Sequence, residues 1–163
     1  MQNRVANGDS GKWQRYKEWL VAQTSDSLYP ADANALQQQY ETGRFPALQS
    51  ENGFHCEART WMTNPVASGY LAGNRFGSRE EGLRFIENLY RLGAKTVYAV
   101  NIDHDMFNFD NGGPGTDTLI VTLPDDLQQR RALLDVAEAE ASLYDGPATL
   151  EDDGRAETMF WWD

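Results

Sequence analysis

Asp103, His104 and Asp105 follow one another directly after a β-branched segment, and they form the densest group of side chains that could do chemistry. Carboxylates and an imidazole at the end of a strand can bind a divalent metal ion or transfer protons. The spacing does not fit a calcium-binding loop, because Asn108 occupies the position that requires glycine. Asp and Asn also stabilise turns, so we favour a structural role at a hairpin tip and predict no metal and no cofactor.

A second candidate site is loop 69–78, which is rich in glycine and ends where a helix is predicted to begin. Its backbone amides, the helix dipole and two guanidinium groups could bind a phosphate or a carboxylate. The candidate ligand-binding residues are Gly73, Arg75, Gly77, Ser78 and Arg79. No lysine follows Gly77, so the loop does not match a P-loop. The alternative is that the glycines only allow the chain to turn sharply.

Cys56 is the only cysteine of the chain, which excludes an internal disulfide and a cysteine-rich zinc site. Alternation along the predicted strand 54–62 places Cys56 on the opposite face from His55 and Glu57, so these side chains cannot form a Cys–His pair. We expect Cys56 to be a small core residue. A single thiol is typical of a protein of the reducing cytoplasm, and we expect that location.

The charge of the chain is concentrated in its second part. The 163 residues have a net charge of −11, yet residues 1–94 contain ten basic and ten acidic residues. Residues 95–163 contain four basic and fifteen acidic residues and therefore hold the whole excess. Nucleic-acid binding needs clustered Lys and Arg, so this distribution argues against it. No apolar run approaches the length of about 20 residues that a membrane-spanning helix needs, so we expect no membrane partner.

Hydrophobic periodicity places these residues on an α+β framework. From residue 51 the predicted order is β-α-β-β-α-β, with strands at 54–62, 96–102, 118–123 and 158–162 and helices at 79–92 and 125–143. Ser78 and Glu81 form a capping box at the start of the first of these helices. This order predicts a ferredoxin-like plait, a four-stranded antiparallel sheet of order 4-1-3-2 with two helices on one face.

Residues 1–50 are predicted to be an N-terminal helical appendage to the α+β core of residues 51–163, in a single domain overall. Ser10 can cap the first helix, whose apolar face carries Trp13, Tyr16, Trp19 and Leu20. A second helix is predicted from Asp32 to Thr42, because Asp32 can cap it and Gly43 can end it.

Adjacent tryptophans at 161 and 162 must face opposite sides of a regular strand. One is expected on an open face of the sheet beside Trp61, where aromatic side chains can anchor a partner or a second copy of the chain. A homodimer is therefore a further hypothesis. The alternative is that the N-terminal helices cover this face.

Two hypotheses of function follow. The first is a non-catalytic interaction protein, for example of an inhibitor or immunity type, that binds a basic protein partner through Asp125, Glu138, Glu140, Asp152 and Trp61. The alternative is a small enzyme or an anionic-ligand-binding domain that combines loop 69–78 with the Asp103-His104-Asp105 cluster. That alternative requires a concave pocket between loop 69–78 and loop 103–117, whereas the first requires an acidic surface.

Overall fold

The computed structural model describes residues 9–26, 54–67, 69–103 and 113–162. In chain order the elements of these residues are α1 Asp9–Asp26, β1 Cys56–Glu57, α2 Ala58–Met62, β2 Tyr70–Leu71, α3 Arg79–Arg91, β3 Thr96–Val100, β4 Gly115–Thr116, β5 Thr118–Thr122, α4 Leu127–Asp145 and β6 Glu157–Trp161. The predicted helix 32–42 lies outside the described residues, as do His104, Asp105 and Asn108.

The main sheet is antiparallel and four-stranded, and the described residues also form four helices. These elements confirm the predicted α+β class. The predicted strand order 4-1-3-2 is wrong, because the strands of the main sheet lie in the order β1-β3-β5-β6. Within this sheet, each strand therefore lies beside the one that precedes or follows it in the chain. Tyr98 of β3 pairs with Ile120 of β5, which pairs with Met159 of β6. The plait would place the first strand in the interior of the sheet. β1 offers only two residues for pairing and lies at the edge.

The predicted strand 54–62 is mostly helix. The carboxylate of Glu57 accepts hydrogen bonds from the backbone amides of Arg59 at 3.1 Å and Thr60 at 2.6 Å, and so caps α2. Such a side-chain bond satisfies amides that a helix start leaves unpaired. Because the backbone is helical here, the side chains of Trp61 and Met62 are both buried. In an alternating strand these two side chains would point to opposite faces of the sheet. The prediction that Trp61 lies on an exposed sheet face is therefore wrong.

The capping signals are confirmed. The hydroxyl of Ser78 accepts a hydrogen bond from the amide of Glu81 at 3.2 Å, and the Glu81 carboxylate accepts one from the amide of Gly77 at 2.9 Å. Helix α4 begins two residues later than predicted, because Asp126 is its N-cap and accepts from the amide of Gln129 at 2.8 Å.

Both faces of the sheet are buried. On one face, Phe160 and Trp162 pack against each other and belong to the main core with Tyr16 and Leu20 of α1. The residues that alternate with them on the other face are also buried, and they are Tyr98, Val100, Ile120 and Met159. The expected open face is therefore absent from the part of the sheet that the structure describes. No helix of the described residues is both long and apolar enough to cross a membrane.

Candidate functional site

A cleft of about 380 Å³ opens where loop 69–78 meets the segments around residues 101–103 and 115–117. Its lining residues are Tyr70, Ala72, Gly73, Asn74, Asn101, Asp103, Gly115, Thr116, Asp117 and Trp162. This is the loop-to-loop pocket that the second hypothesis required. The two carboxylates give the lining a formal charge of −2, because none of the described lining residues is Lys or Arg.

The short parallel strands β2 and β4 join the two loops. The amide of Tyr70 donates a hydrogen bond to the carbonyl oxygen of Pro114 at 3.0 Å, and the amide of Ala72 donates one to Thr116 at 2.8 Å. Parallel strands cannot be joined by a tight hairpin, and here α3 and strand β3 of the main sheet lie between them in the chain. The cleft is therefore built by tertiary contacts between distant segments.

Two further backbone bonds position Asp103 and Asp117. The amide of Asp103 donates to the carbonyl oxygen of Gly115 at 2.9 Å, just beyond the end of β3. The carbonyl oxygen of Asp117 accepts from the amide of Trp162 at 3.0 Å, just beyond the end of β6. Both acidic residues thus lie at the same end of the main sheet, between strand ends that the sheet holds in register.

The ring of Tyr70 lies against a glycine. A Cβ atom at Gly115 would lie 2.5 Å from Cζ of Tyr70, and one at Gly73 would lie 3.4 Å from its Cε2. Position 115 therefore has no room for a larger residue unless the ring moves. The ring is partly exposed, and its hydroxyl forms no hydrogen bond with any residue that the structure describes. Tyr70 thus contributes an aromatic residue with a hydroxyl group to the cleft lining.

Backbone strain is concentrated in the cleft lining. Among the described residues, the two non-glycine residues with positive φ are Ala72 at 38° and Asn101 at 50°. Each such conformation costs about 1–3 kcal/mol and is found preferentially at functional sites. Both residues line the cleft, one from each of the two segments that form it.

Arg75 does not line the cleft, although it follows the lining residue Asn74 directly. Its Nε donates to Oε2 of Glu140 at 2.8 Å, and its second terminal nitrogen donates to Oε1 at 3.0 Å. Oε2 also accepts from the indole Nε1 of Trp162 at 2.9 Å. The guanidinium that the sequence suggested for anion binding is thus held in an internal ion pair, stacked over the ring of Phe76 at 4.9 Å.

The other ligand-binding residues proposed from the glycine-rich loop do not all lie in the cleft. Gly73 lines the cleft, whereas Gly77, Ser78 and Arg79 form the start of α3 and do not. Arg79 forms an exposed pair with Glu80 at 3.5 Å. An anion site at this helix start would therefore be separate from the cleft.

Asp103 is the one member of the Asp-His-Asp cluster whose position is described, and it contributes to the cleft. Cys56 is buried in the core as expected, and burial raises the pKa of its thiol to about 12. A thiol with such a pKa is a poor nucleophile at neutral pH.

Three of the four acidic residues proposed for partner binding have internal bonds. Asp152 forms a two-point ion pair with Arg130, with distances of 2.7 and 2.9 Å. Glu138 accepts from Arg131 at 3.0 Å and from the backbone amide of Leu150.

Glu140 forms the ion pair with Arg75 described above. Asp125 differs, because its side chain is 97% exposed and its contact with Lys95 measures 3.4 Å. Trp61 is fully buried and offers no surface to a partner or a second copy of the chain.

Sequence reasoning missed Tyr70, Asn74, Asn101 and Asp117, all of which line the cleft. The available signal was the glycine-rich loop around Tyr70, which was interpreted as an anion-binding site or a sharp turn. The parallel pairing of β2 with β4 could not be predicted, because each strand has only two residues.

The fold and the cleft define an α+β protein with a pocket that is lined by two acidic residues and a partly exposed tyrosine. Comparisons of this chain with protein-family models, with curated proteins and with solved structures find no match.

Proposed function

We propose that this chain is a non-catalytic binding protein that holds a positively charged group, an alkylammonium or a guanidinium, in the cleft. The proposal rests on one observation above all. Asp103 and Asp117 line the same cleft as the partly exposed Tyr70, and no described lining residue carries a positive charge.

These groups suit a cation for separate physical reasons. Two carboxylates attract an ammonium or guanidinium and can accept its N–H groups in charge-assisted hydrogen bonds. The face of a tyrosine ring attracts a cation that lies within about 6 Å of its centre. A volume of about 380 Å³ is within the range of small-molecule sites. The amide oxygen of Asn74 is a further acceptor in the lining, since its Nδ2 donates to the carbonyl oxygen of Trp162.

The cleft suits an anion less well. Of the two arginines in the anion hypothesis, Arg75 is paired with Glu140 and Arg79 is paired with Glu80. The lining also favours binding over catalysis. The described lining residues include no imidazole, thiol or lysine, and the hydroxyl of Thr116 donates a hydrogen bond to the carbonyl oxygen of Val100.

The cation could be a free small amine or a Lys or Arg side chain of a basic protein partner. The net charge of −11 would attract either source and would speed association. A basic protein partner was also the first hypothesis drawn from the sequence. A reducing cytoplasm, inferred from the single cysteine, remains part of the proposal.

Calorimetric titration of the full chain with agmatine tests the proposal, with (4-hydroxybutyl)urea as its uncharged isostere, in which a urea replaces the guanidinium and a hydroxyl replaces the ammonium. We expect agmatine to bind and the isostere to bind at least tenfold more weakly. Asp117→Asn should weaken agmatine binding about tenfold, which corresponds to about 1.4 kcal/mol. Asp135→Asn is the matched control on the exposed surface of α4 and should bind agmatine like the wild type. Equal binding of agmatine and its isostere would overturn the proposal. The proposal would also be overturned if the protein bound neither of these compounds and did not bind the arginine peptide described next.

A second arm separates the two sources of the cation. The probe is a blocked Gly-Arg-Gly-Gly peptide, compared with the same peptide containing citrulline. Tighter binding of the arginine peptide than of agmatine indicates a protein partner, and tighter binding of agmatine indicates a free amine.

The exposed acidic surface is the second candidate for partner binding. The observation that favours it is that Asp125 and the neighbouring Leu127 are exposed together at the start of α4, with 97% of the Asp125 side chain and 76% of Leu127 accessible. If this surface binds the arginine peptide, Asp125→Asn weakens that binding and Asp117→Asn does not. That result would assign the partner to α4 and would contradict the cleft.

A further inference from the structure

Asp117 is the single residue between strands β4 and β5, at the point where the chain passes from one sheet to the other. The residue before it, Thr116, pairs with β2, and the residue after it, Thr118, pairs with β3. Its own carbonyl oxygen accepts the amide of Trp162 at 3.0 Å. Asp117 is partly exposed, whereas both threonines are buried. The backbone of this cleft residue is therefore fixed from several sides.

The side chain of Asp117 is bound by its neighbour. The hydroxyl of Thr118 donates a hydrogen bond to Oδ1 of Asp117 at 2.9 Å. Thr118 is 0% exposed, so bulk water does not compete for this hydroxyl, and a buried hydroxyl without an acceptor would cost free energy. The amide of Thr118 donates in turn to the hydroxyl of Thr116 at 3.2 Å. Both the backbone and the hydroxyl of Thr118 are therefore held in place.

The second carboxylate oxygen of Asp117, Oδ2, differs from the first. It accepts no hydrogen bond from any residue that the structure describes. Asp117 lines the cleft and is partly exposed, so this oxygen is free for a bound cation. A carboxylate that is oriented before the ligand arrives loses less conformational freedom when the ligand binds, and such preorganisation increases affinity.

We propose that Thr118 is a positioning residue of the cation site, because its hydroxyl holds Asp117 in the rotamer that presents Oδ2 to the bound ammonium or guanidinium. Thr118 is buried and touches no ligand in this arrangement. This inference rests on the proposed function, since it concerns the orientation of one carboxylate of the same site. Without the bond, Asp117 can occupy all three staggered rotamers, and the fraction ready to bind falls to about one third.

Calorimetric titration with agmatine compares variants of the full chain. Thr118→Val has nearly the same shape but no hydroxyl, and it should weaken binding about threefold, the factor expected when one rotamer becomes three. Thr118→Ser keeps the hydroxyl and should bind agmatine like the wild type. Thr122→Val is the matched control on the same strand, because the Thr122 hydroxyl accepts from that of Thr96 at 2.6 Å and neither residue lines the cleft. Its affinity for agmatine should be unchanged.

A general loosening of β5 predicts a different pattern. In an Asp117→Ala background there is no carboxylate to orient, so Thr118→Val should then cause no further loss of affinity. An equal loss with and without the Asp117 carboxylate, or no loss in either background, overturns the inference. If Thr118→Val does not fold, Thr118→Ala takes its place in every comparison, since it also lacks the hydroxyl.

Three-bond couplings that report χ1 of Asp117 test the orientation without a ligand. We expect one staggered rotamer in the wild type and in Thr118→Ser, and averaging over several rotamers in Thr118→Val. Averaging in the wild type, or a single unchanged rotamer in Thr118→Val, overturns the inference.

Failure of the proposed function is recognised separately. If the wild type binds neither agmatine nor the arginine peptide, the cation site is wrong, and the role of Thr118 at that site is wrong with it. If the wild type binds agmatine and Asp117→Asn weakens that binding, the cation site stands. The affinity and the couplings of Thr118→Val then decide the role of Thr118 alone.

Discussion

The indole Nε1 of Trp61 donates a hydrogen bond to the hydroxyl of Tyr16 at 2.9 Å, in the interior of the protein. Both side chains are almost completely buried, and burial raises the pKa of the Tyr16 hydroxyl above its ordinary value. The bond joins α1 to α2 through two residues that are 45 positions apart in the chain. It therefore makes α1 part of the core.

We expect Tyr16→Phe to destabilise the protein by about 1–3 kcal/mol, because the indole N–H of Trp61 would remain buried without an acceptor. Urea unfolding followed by circular dichroism measures this change. Tyr70→Phe is the matched control, since the Tyr70 hydroxyl has no hydrogen bond among the described residues and its loss should change stability by less than about 0.5 kcal/mol. Equal stability of Tyr16→Phe and the wild type would contradict a structural role for this bond.

The elements that could be predicted from sequence are those whose local signals agree with their tertiary contacts. Ser78 and Glu81 specify the start of α3, and its apolar spacing specifies the buried face with Ile86 and Leu89. The strand predicted for segment 54–62 was wrong. The alternation of apolar residues favours a strand, whereas the carboxylate of Glu57 caps a helix, and the helix is what forms. Strand order depends on pairing between distant segments, which no local pattern specifies.

The site was predictable only in part for the same reason. Asp103 and Gly73 were singled out because of local composition, and both line the cleft. Arg75 was expected at the ligand, but its position depends on Glu140, which lies 65 residues away in the chain. Acidic composition likewise indicated a surface for a partner, whereas Glu138 and Asp152 bind arginines of the same chain.

Glu138 holds the segment that follows α4. Its carboxylate accepts from the amide of Leu150, and Arg131 donates to the Leu150 carbonyl oxygen at 2.8 Å. We expect Glu138→Ala to increase the hydrogen-exchange rate of the Leu150 amide at least tenfold, because the amide loses its acceptor. Asp135→Ala is the control, since Asp135 also pairs with Arg131 but accepts nothing from Leu150. Similar exchange in both variants would show that Glu138 does not hold this segment.

The pair between Asp152 and Arg130 gives stability a dependence on acid pH. The hydrogen bonds from Arg130 lower the pKa of Asp152 to about 2, below the value of about 3.9 expected in the unfolded chain. A lowered pKa means that the pair stabilises the fold above about pH 4 and that this contribution disappears as the pH falls toward 2.

The thermal midpoint of the wild type should therefore fall more steeply between pH 5 and 2 than that of Asp152→Asn. Asp125→Asn, which removes a highly exposed carboxylate, should follow the wild-type curve. Parallel curves for the wild type and Asp152→Asn would contradict the assignment.

Gly115 is required for the position of the Tyr70 ring in the cleft. A methyl group at this position would lie 2.5 Å from Cζ of Tyr70, so Gly115→Ala must displace the ring or the strand. If the ring contributes a cation–π contact, its displacement should weaken agmatine binding about 5- to 30-fold, the range expected for about 1–2 kcal/mol. Gly11→Ala, on the exposed surface of α1, should leave the affinity unchanged.

A double-mutant cycle distinguishes this mechanism from a general distortion of the cleft. In a Tyr70→Ala background, Gly115→Ala should cause little further loss of affinity, because the clashing ring is absent. If Gly115→Ala weakens agmatine binding equally with and without the Tyr70 ring, the glycine acts through the backbone of β4 and not through the position of the ring.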